Sequence, residues 1–130
     1  MSEHPNARMV RRGYESFAAG DLEPLRDSMV DTVVWHEPGR SPLGGDHKGP
    51  EGVLAFLSQL RDLSAGTFTM QLVDVLATPE RVVALQEETA SRGGRDLDMS
   101  SAVEFEIHQG KITEVTVYHD DTYHFDEFWS

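Results

Sequence analysis

The chain contains no cysteine, which excludes disulfide bonds, thiolate metal sites and a cysteine nucleophile. It also lacks an apolar run long enough to cross a bilayer, so we expect no membrane span. The first residues, from Met1 to Pro5, show neither the basic segment nor the apolar segment of a signal peptide. Together these absences predict a cytoplasmic protein.

Positive charge is scarce, since 11 Lys and Arg residues stand against 23 Asp and Glu residues and the formal net charge is −12. Nucleic acids and anionic membranes require a basic surface, so we expect neither as a partner. The sequence contains no glycine-rich phosphate loop, no HExxH motif and no GxSxG motif. We therefore expect no cofactor, no metal ion and no serine-hydrolase site.

A length of 130 residues favours one domain over residues 1–130. Apolar residues recur at helical spacing from residue 6 to 19 and from residue 50 to 63, which predicts two helices. Asp21 is expected to cap a short helix that carries Leu25 and Met29, and residues 39–49 are typical of a loop. Alternating strands follow, one of them over residues 81–92. This order predicts an α+β domain with helices packed on a curved, mostly antiparallel sheet.

The segment from Val33 to Gly39 is typical of a strand that ends in an acid. Side chains alternate along a strand, so Val33, Trp35 and Glu37 share one face. A carboxylate at the edge of an apolar wall is a candidate general base, because desolvation raises the pKa of a carboxyl group. The alternative is that Glu37 is a solvated residue at the end of a strand.

The last strand presents a second group of polar residues. By the same alternation, Val115, Val117, His119 and Asp121 share a face. His119 is the candidate for proton transfer, because an imidazole titrates near neutral pH and the carboxylate of Asp121, two residues later, could orient it. The alternative is a hydrogen-bonded histidine in the wall of the core.

Further candidates lie on other strands and on the first helix. Glu87 and Glu88 place one acid on each face of a strand, and the pattern leaves open which of them points inward. The expected lining of the pocket consists of apolar and aromatic residues: Tyr14, Phe17, Trp35, Met70, Met99, Val103 and Val117.

Four segments in this order resemble a known family: Tyr14–Leu22, Val33–Gly39, Gly49 with the apolar helix after it, and Gly110–Val115. They resemble the SnoaL-like group of the nuclear transport factor 2-like superfamily, which also contains ketosteroid isomerase. The resemblance implies a cone-shaped, cystatin-like α+β barrel with a deep pocket, often as a homodimer.

The resemblance also implies roles for single residues. Glu37 followed by Pro38 resembles the Asp-Pro pair that supplies the base of ketosteroid isomerase. SnoaL-type cyclases place an acid-base aspartate at the end of the last strand, which corresponds to Asp120 or Asp121. Alternation with Val117 favours Asp121.

The oxyanion-binding pair of the isomerase does not carry over. Its tyrosine aligns with Gly13, one residue before Tyr14, and its protonated acid aligns with Val103 or Ala102. Neither valine nor alanine has a side chain that donates a hydrogen bond. We therefore do not expect 3-oxosteroid isomerisation.

These features predict a cofactor-independent acid-base enzyme, either an isomerase, a cyclase or a dehydratase, that acts on a small apolar oxygenated metabolite. The alternative is a non-catalytic domain of the same fold that binds a hydrophobic ligand or mediates dimerisation. A homodimer is expected through the outer sheet face, which carries Leu85 or Ala84, Ala102 and Tyr118.

Overall fold

The computed structural model describes residues 3–130. Its elements in chain order are α1 (Pro5–Ala19), α2 (Glu23–Asp27), β1 (Met29–Glu37), β2 (Gly45–Lys48), α3 (Gly49–Leu63), β3 (Thr69–Ala77), β4 (Arg81–Arg92), β5 (Arg95–His108), β6 (Lys111–His119) and α4 (Thr122–Trp129). The predicted α+β class, with helices packed on a curved and mostly antiparallel sheet, is confirmed.

Helix α1 has clear start and stop signals. Pro5 occupies its first turn, where a missing N–H is tolerated, and the His4 side chain accepts a hydrogen bond from the Asn6 amide. Gly20 ends the helix in the left-handed conformation, with φ of 78°. Val10 and Phe17 are buried on the face that packs against the sheet, so burial of this apolar stripe holds the helix in place.

Helix α3 follows the same logic. Pro50 again lies in the first turn, and Val53, Phe56, Leu57 and Leu60 form a buried stripe. The helix packs on β1 and β2. The two long helices thus cover one face of the sheet, which we call the inner face. The uncovered side is the outer face.

The six strands lie in the order β2-β1-β6-β5-β4-β3, with every neighbouring pair antiparallel except β1 and β6. β2 and β3 form the two edges, so over residues 3–130 the sheet curves without closing. The β4–β5 hairpin turns at Gly93 and Gly94, whose φ values of 57° and 81° are those of a tight turn that matches the twist of the strands. Pairing aligns Gln86 with Ser101 and Ser101 with His119, which places these three side chains in one row on the inner face.

The structure corrects two local predictions. Residues 45–48 form the edge strand β2 inside the predicted loop, because the backbone from Gly45 to Lys48 pairs with β1 without any apolar alternation. The short helix α2 ends at Asp27, and Met29 starts β1 instead of continuing that helix. Over residues 3–130, no helix has the length and hydropathy needed to cross a membrane.

Candidate functional site

A narrow cleft lies between the helices and the inner face. Its wider part is almost wholly apolar, is lined by Met9, Tyr14, Phe17 and neighbouring core residues, and has a volume of about 30 Å³. Its polar end is lined in part by Glu37, Gln86, Glu88 and Val117 and has a volume of about 10 Å³. Trp35, Leu57 and Met70 line both parts, so the two parts adjoin. Volumes of this size hold a water molecule rather than a metabolite.

Glu37 lies at the polar end of the cleft, where β1 stops. Its side chain is only 4% exposed, and both carboxylate oxygens are hydrogen-bonded. Trp35 Nε1 donates to Oε1 at 2.9 Å, and His119 Nε2 lies 2.8 Å from Oε2. The bond from Trp35 follows from strand alternation, because residues two apart share a face. The carboxylate is therefore fixed in orientation at the end of an apolar wall.

His119 lies behind Glu37, with its side chain fully buried. Its Nδ1 atom is 2.7 Å from Ser101 Oγ, and its ring stacks on Phe125 of α4 with centroids 4.2 Å apart. Burial lowers the pKa of His119, but the hydrogen bond to Glu37 and the charges of Glu37 and Glu88 outweigh burial and raise it above its usual value. The raised pKa favours an imidazolium between the two carboxylates.

Glu88 is the third ionisable member of the cluster. Ser101 Oγ donates to its Oε2 at 2.8 Å, and His119 Nδ1 lies 3.6 Å from the same oxygen. Burial raises the pKa of Glu88 to about 7, although the charge of His119 and the hydrogen bond from Ser101 act in the opposite direction. Glu88 points inward and Glu87 is exposed, which settles the alternative that the sequence left open.

Tyr14 brings a fourth polar group to the cleft from helix α1. Its hydroxyl donates to Gln86 Oε1, next to Glu88 on the inner face of β4. Burial, together with the charge of Glu88, raises the pKa of Tyr14 above its usual value. The hydroxyl thus stays protonated and remains a hydrogen-bond donor.

The structure brings most of the predicted residues together. Glu37 lies at the polar end of the cleft and His119 is bonded directly behind it, while Tyr14, Phe17, Trp35, Met70 and Val117 line the cleft. Met99 and Val103 are buried in the core but do not belong to the lining. Both lie on the inner face, where a side chain can pack against other core residues without reaching the cleft.

The prediction that Asp121 shares the face of His119 is wrong. β6 ends at His119, so the alternation stops there, and Asp121 instead caps α4 by accepting a hydrogen bond from the His124 amide at 3.0 Å. Asp120 is also exposed, and it borders a groove on the outer face with Tyr118 and Leu85. Neither aspartate lines the cleft.

Sequence reasoning left open whether Glu88 points inward, and it missed Ser101 and Gln86 as site residues. Both faces of β4 carry apolar residues, since Val82 and Ala84 alternate with Val83 and Leu85, so alternation alone does not show which face is inward. The pairing of β4 with β5 supplies the missing information.

The cluster is poorly arranged for a metal ion. Both ring nitrogens of His119 are engaged by protein side chains, with Glu37 on one side and Ser101 on the other. A metal site instead needs ligand atoms that converge on one point.

Among residues 3–130, those that line the cleft include no lysine or arginine, so an anionic group would find no counter-charge there.

Residues 10–115 match the SnoaL-like domain family. The chain belongs to the SnoaL-like family. An uncharacterized protein of Mycobacterium tuberculosis, Rv0034, is 32% identical over the full length of both chains. Among solved structures, Bal32a from a soil-derived mobile gene cassette is 38% identical, with a TM-score of 0.93 over 97% of each chain. A Xanthomonas campestris protein of unknown function with a cystatin-like fold is 26% identical, with a TM-score of 0.88 over 96% of this chain and 98% of that one.

These relatives confirm the predicted family and the cystatin-like fold. The names of these relatives assign no reaction or substrate.

Proposed function

We propose that this SnoaL-like protein is a cofactor-independent acid-base enzyme that removes a proton from carbon next to a carbonyl group, as isomerases, cyclases and some dehydratases do. The observation that carries the proposal is the position of Glu37. A buried carboxylate lies at the polar end of an otherwise apolar cleft, held by Trp35 and His119. In this arrangement Glu37 is the general base.

His119 acts as a positioning residue in this proposal. It is fully buried and is not part of the cleft lining, so it touches Glu37 rather than substrate. Its hydrogen bond fixes one oxygen of Glu37, and its raised pKa favours a positive charge beside that carboxylate. The assignment differs from the sequence prediction, in which His119 itself gives a proton to the substrate or polarises its carbonyl group.

The cleft favours a small, neutral and largely apolar substrate. The described lining residues include the acids Glu37 and Glu88 but no lysine or arginine, and this disfavours an anionic molecule. Because the cleft is narrow, entry of a substrate requires movement of side chains in its wall. Met9 and Met70 suit this, since unbranched methionine side chains change rotamer easily.

A non-catalytic binding domain is the second candidate, and the apolar character of the wider part of the cleft favours it. Binding needs only a fitting apolar pocket, whereas catalysis also requires Glu37 to reach the ligand.

We also propose that the protein is a homodimer through its outer face, where Val73, Leu85 and Tyr118 are exposed.

Proton exchange tests the enzyme proposal without knowledge of the natural substrate. The protein is incubated in D₂O with neutral ketones such as cyclohexanone and β-tetralone, and loss of the α-proton signal is followed by NMR. We expect the wild-type protein to accelerate exchange and Glu37→Gln to abolish that acceleration. Asp31→Asn is the matched control, because Asp31 is an exposed carboxylate on the same strand. If ketones bind but Glu37→Gln exchanges them as fast as wild type does, the binding-domain alternative is favoured.

A further inference from the structure

Glu88 is a buried acid in the same cleft for which the proposed function has no use. We propose that Glu88 is a second catalytic residue, which as a neutral acid donates a hydrogen bond to the carbonyl oxygen of the substrate while Glu37 takes the proton from carbon. This inference rests on the proposed function, and it gives the negative charge that develops on oxygen a partner in the protein.

The two carboxylates share one imidazole unequally. Glu37 is bonded directly to His119 at 2.8 Å, whereas Glu88 is 3.6 Å from the ring and is reached through Ser101. One positive charge therefore serves mainly Glu37, and the less well compensated acid holds a proton more readily. Two acids whose environments differ in this way suit the roles of base and acid.

The hydrogen bonds of Glu88 leave one oxygen for the substrate. Ser101 donates to Oε2, and His119 approaches the same atom. Oε1 is then the oxygen that can carry the proton towards the cleft, which Glu88 lines together with Glu37. The hydroxyl of Tyr14 already donates to Gln86, so Glu88 is the better placed donor.

The electrostatic surroundings agree with this geometry. The charged and titratable groups that act on Glu88 are His119 and Glu37 across the sheet, Asp120 after β6, and Tyr14 on α1. Burial is the largest influence and raises the pKa of Glu88 to about 7, so the acid form is substantially present at neutral pH.

The step balances without any further reactant. The C–H bond breaks, its proton goes to Glu37, and its electron pair forms the enolate whose charge lies on oxygen. Glu88 keeps its proton and only donates a hydrogen bond to that oxygen. Return of the proton from Glu37, to the same carbon or to a conjugated one, restores both acids to their starting state.

Two measurements test the role of Glu88. The first is the ¹³C-NMR titration of its carboxyl carbon in the wild-type protein, assigned through bonds to its own backbone. We expect ionisation near pH 7, and ionisation at the ordinary value near 4.5 would overturn the proposal. Because it needs no variant, this measurement can overturn the proposal even if the variants do not fold.

The second measurement is the pH profile of ketone exchange. We expect wild-type exchange to fall above about pH 7, as Glu88 loses its proton. Glu88→Met, which removes the donor, should lose about a hundredfold or more of the acceleration. Glu88→Gln keeps an N–H donor, so it should retain more of the rate and lose the alkaline fall. Glu87→Gln, on the outer face of the same strand, is the matched control and should resemble wild type.

The outcomes separate the two proposals. If the wild-type protein exchanges the ketones and Glu88→Met exchanges them at the same rate, the role of Glu88 is overturned and Glu37 remains the base. The same conclusion follows if Glu88→Gln keeps the alkaline fall of the wild-type rate. A wild-type protein that exchanges none of the ketones overturns the proposed function, and the catalytic role of Glu88 fails with it.

Discussion

Two histidines of this protein each lie between two carboxylates, one on the outer face and one beside the cleft. On the outer face, His36 Nδ1 is 2.7 Å from Asp46 Oδ1 and Nε2 is 2.5 Å from Glu114 Oε2. The hydrogen bonds to these acids are the largest influence on His36 and raise its pKa. The side chain is 33% exposed, so water screens all of these charges.

Beside the cleft, His119 also lies between two carboxylates, but here the group is shielded from solvent. The side chain of His119 is fully buried, and burial, which disfavours its charge, is the largest influence on its pKa. The hydrogen bond to Glu37 and the charges of Glu37, Glu88 and Asp120 together reverse the direction and raise the pKa. The two histidines thus differ in the influence that dominates their pKa, which is hydrogen bonding at exposed His36 and burial at His119.

The two clusters meet at one point of the chain. His36 and Glu37 are consecutive residues of β1, so their side chains leave the strand on opposite faces. The outer cluster joins β1 to β2 and β6, while the inner one joins β1 to β6 and, through Ser101, to β5. Matched substitutions on the two faces can therefore compare a buried cluster with an exposed one at the same place in the sheet.

The largest expected effect is that of His119→Ala. Removing the imidazole leaves the buried Glu37 carboxylate without its counter-charge, and breaking a buried ion pair in this way typically destabilises a protein by about 3–5 kcal/mol. Because folding raises the pKa of His119, this contribution is fully present below the unfolded value of about 6.5 and is lost as pH rises through the raised value. Urea unfolding at about pH 6 therefore measures the loss at nearly its full size. His36→Ala, the exposed counterpart, should lose at most about 1 kcal/mol, and equal losses in the two variants would refute the comparison.

The next effect is that of Glu88→Gln on stability. A carboxyl group whose pKa is raised by folding destabilises the folded state as pH rises from the unfolded value near 4.5 to the folded value of about 7. An uncharged amide should therefore make the protein more stable above pH 7, by up to about 3 kcal/mol. Thermal unfolding at pH 5 and pH 8 tests this, with Glu87→Gln as the control. A lower stability of Glu88→Gln at pH 8 would show that ionised Glu88 is stabilising.

The spacing of apolar residues made much of the fold predictable from the sequence. Helical spacing located α1 and α3 to within one residue at their starts, because each helix must bury an apolar stripe. Strand β2 was missed because its residues, from Gly45 to Lys48, have no apolar pattern and are held by backbone pairing to β1. A pattern of side chains carries no information about a strand that buries none.

The same reasoning separates the predicted from the missed parts of the site. Glu37 and His119 could be found because each ends a strand whose apolar residues show which face is inward. Asp121 was misplaced because alternation was extended beyond the last residue of β6. Glu88 stayed undecided because both faces of β4 are apolar, and only its register against β5 distinguishes them.

The smallest expected effect is that of His36→Gln, and its sign depends on pH. Because folding raises the pKa of His36, its stabilising contribution is fully present below the unfolded value of about 6.5 and is lost as pH rises through the raised value. We expect a loss of at most about 1 kcal/mol at pH 5.5, reduced by 1 M NaCl, and no difference from wild type at pH 9. Urea midpoints measure this, with His108→Gln as the control, since His108 is exposed. A loss of several kcal/mol that does not respond to salt would mean that the outer cluster behaves like the buried one, and exposure would then not be what distinguishes the two histidines.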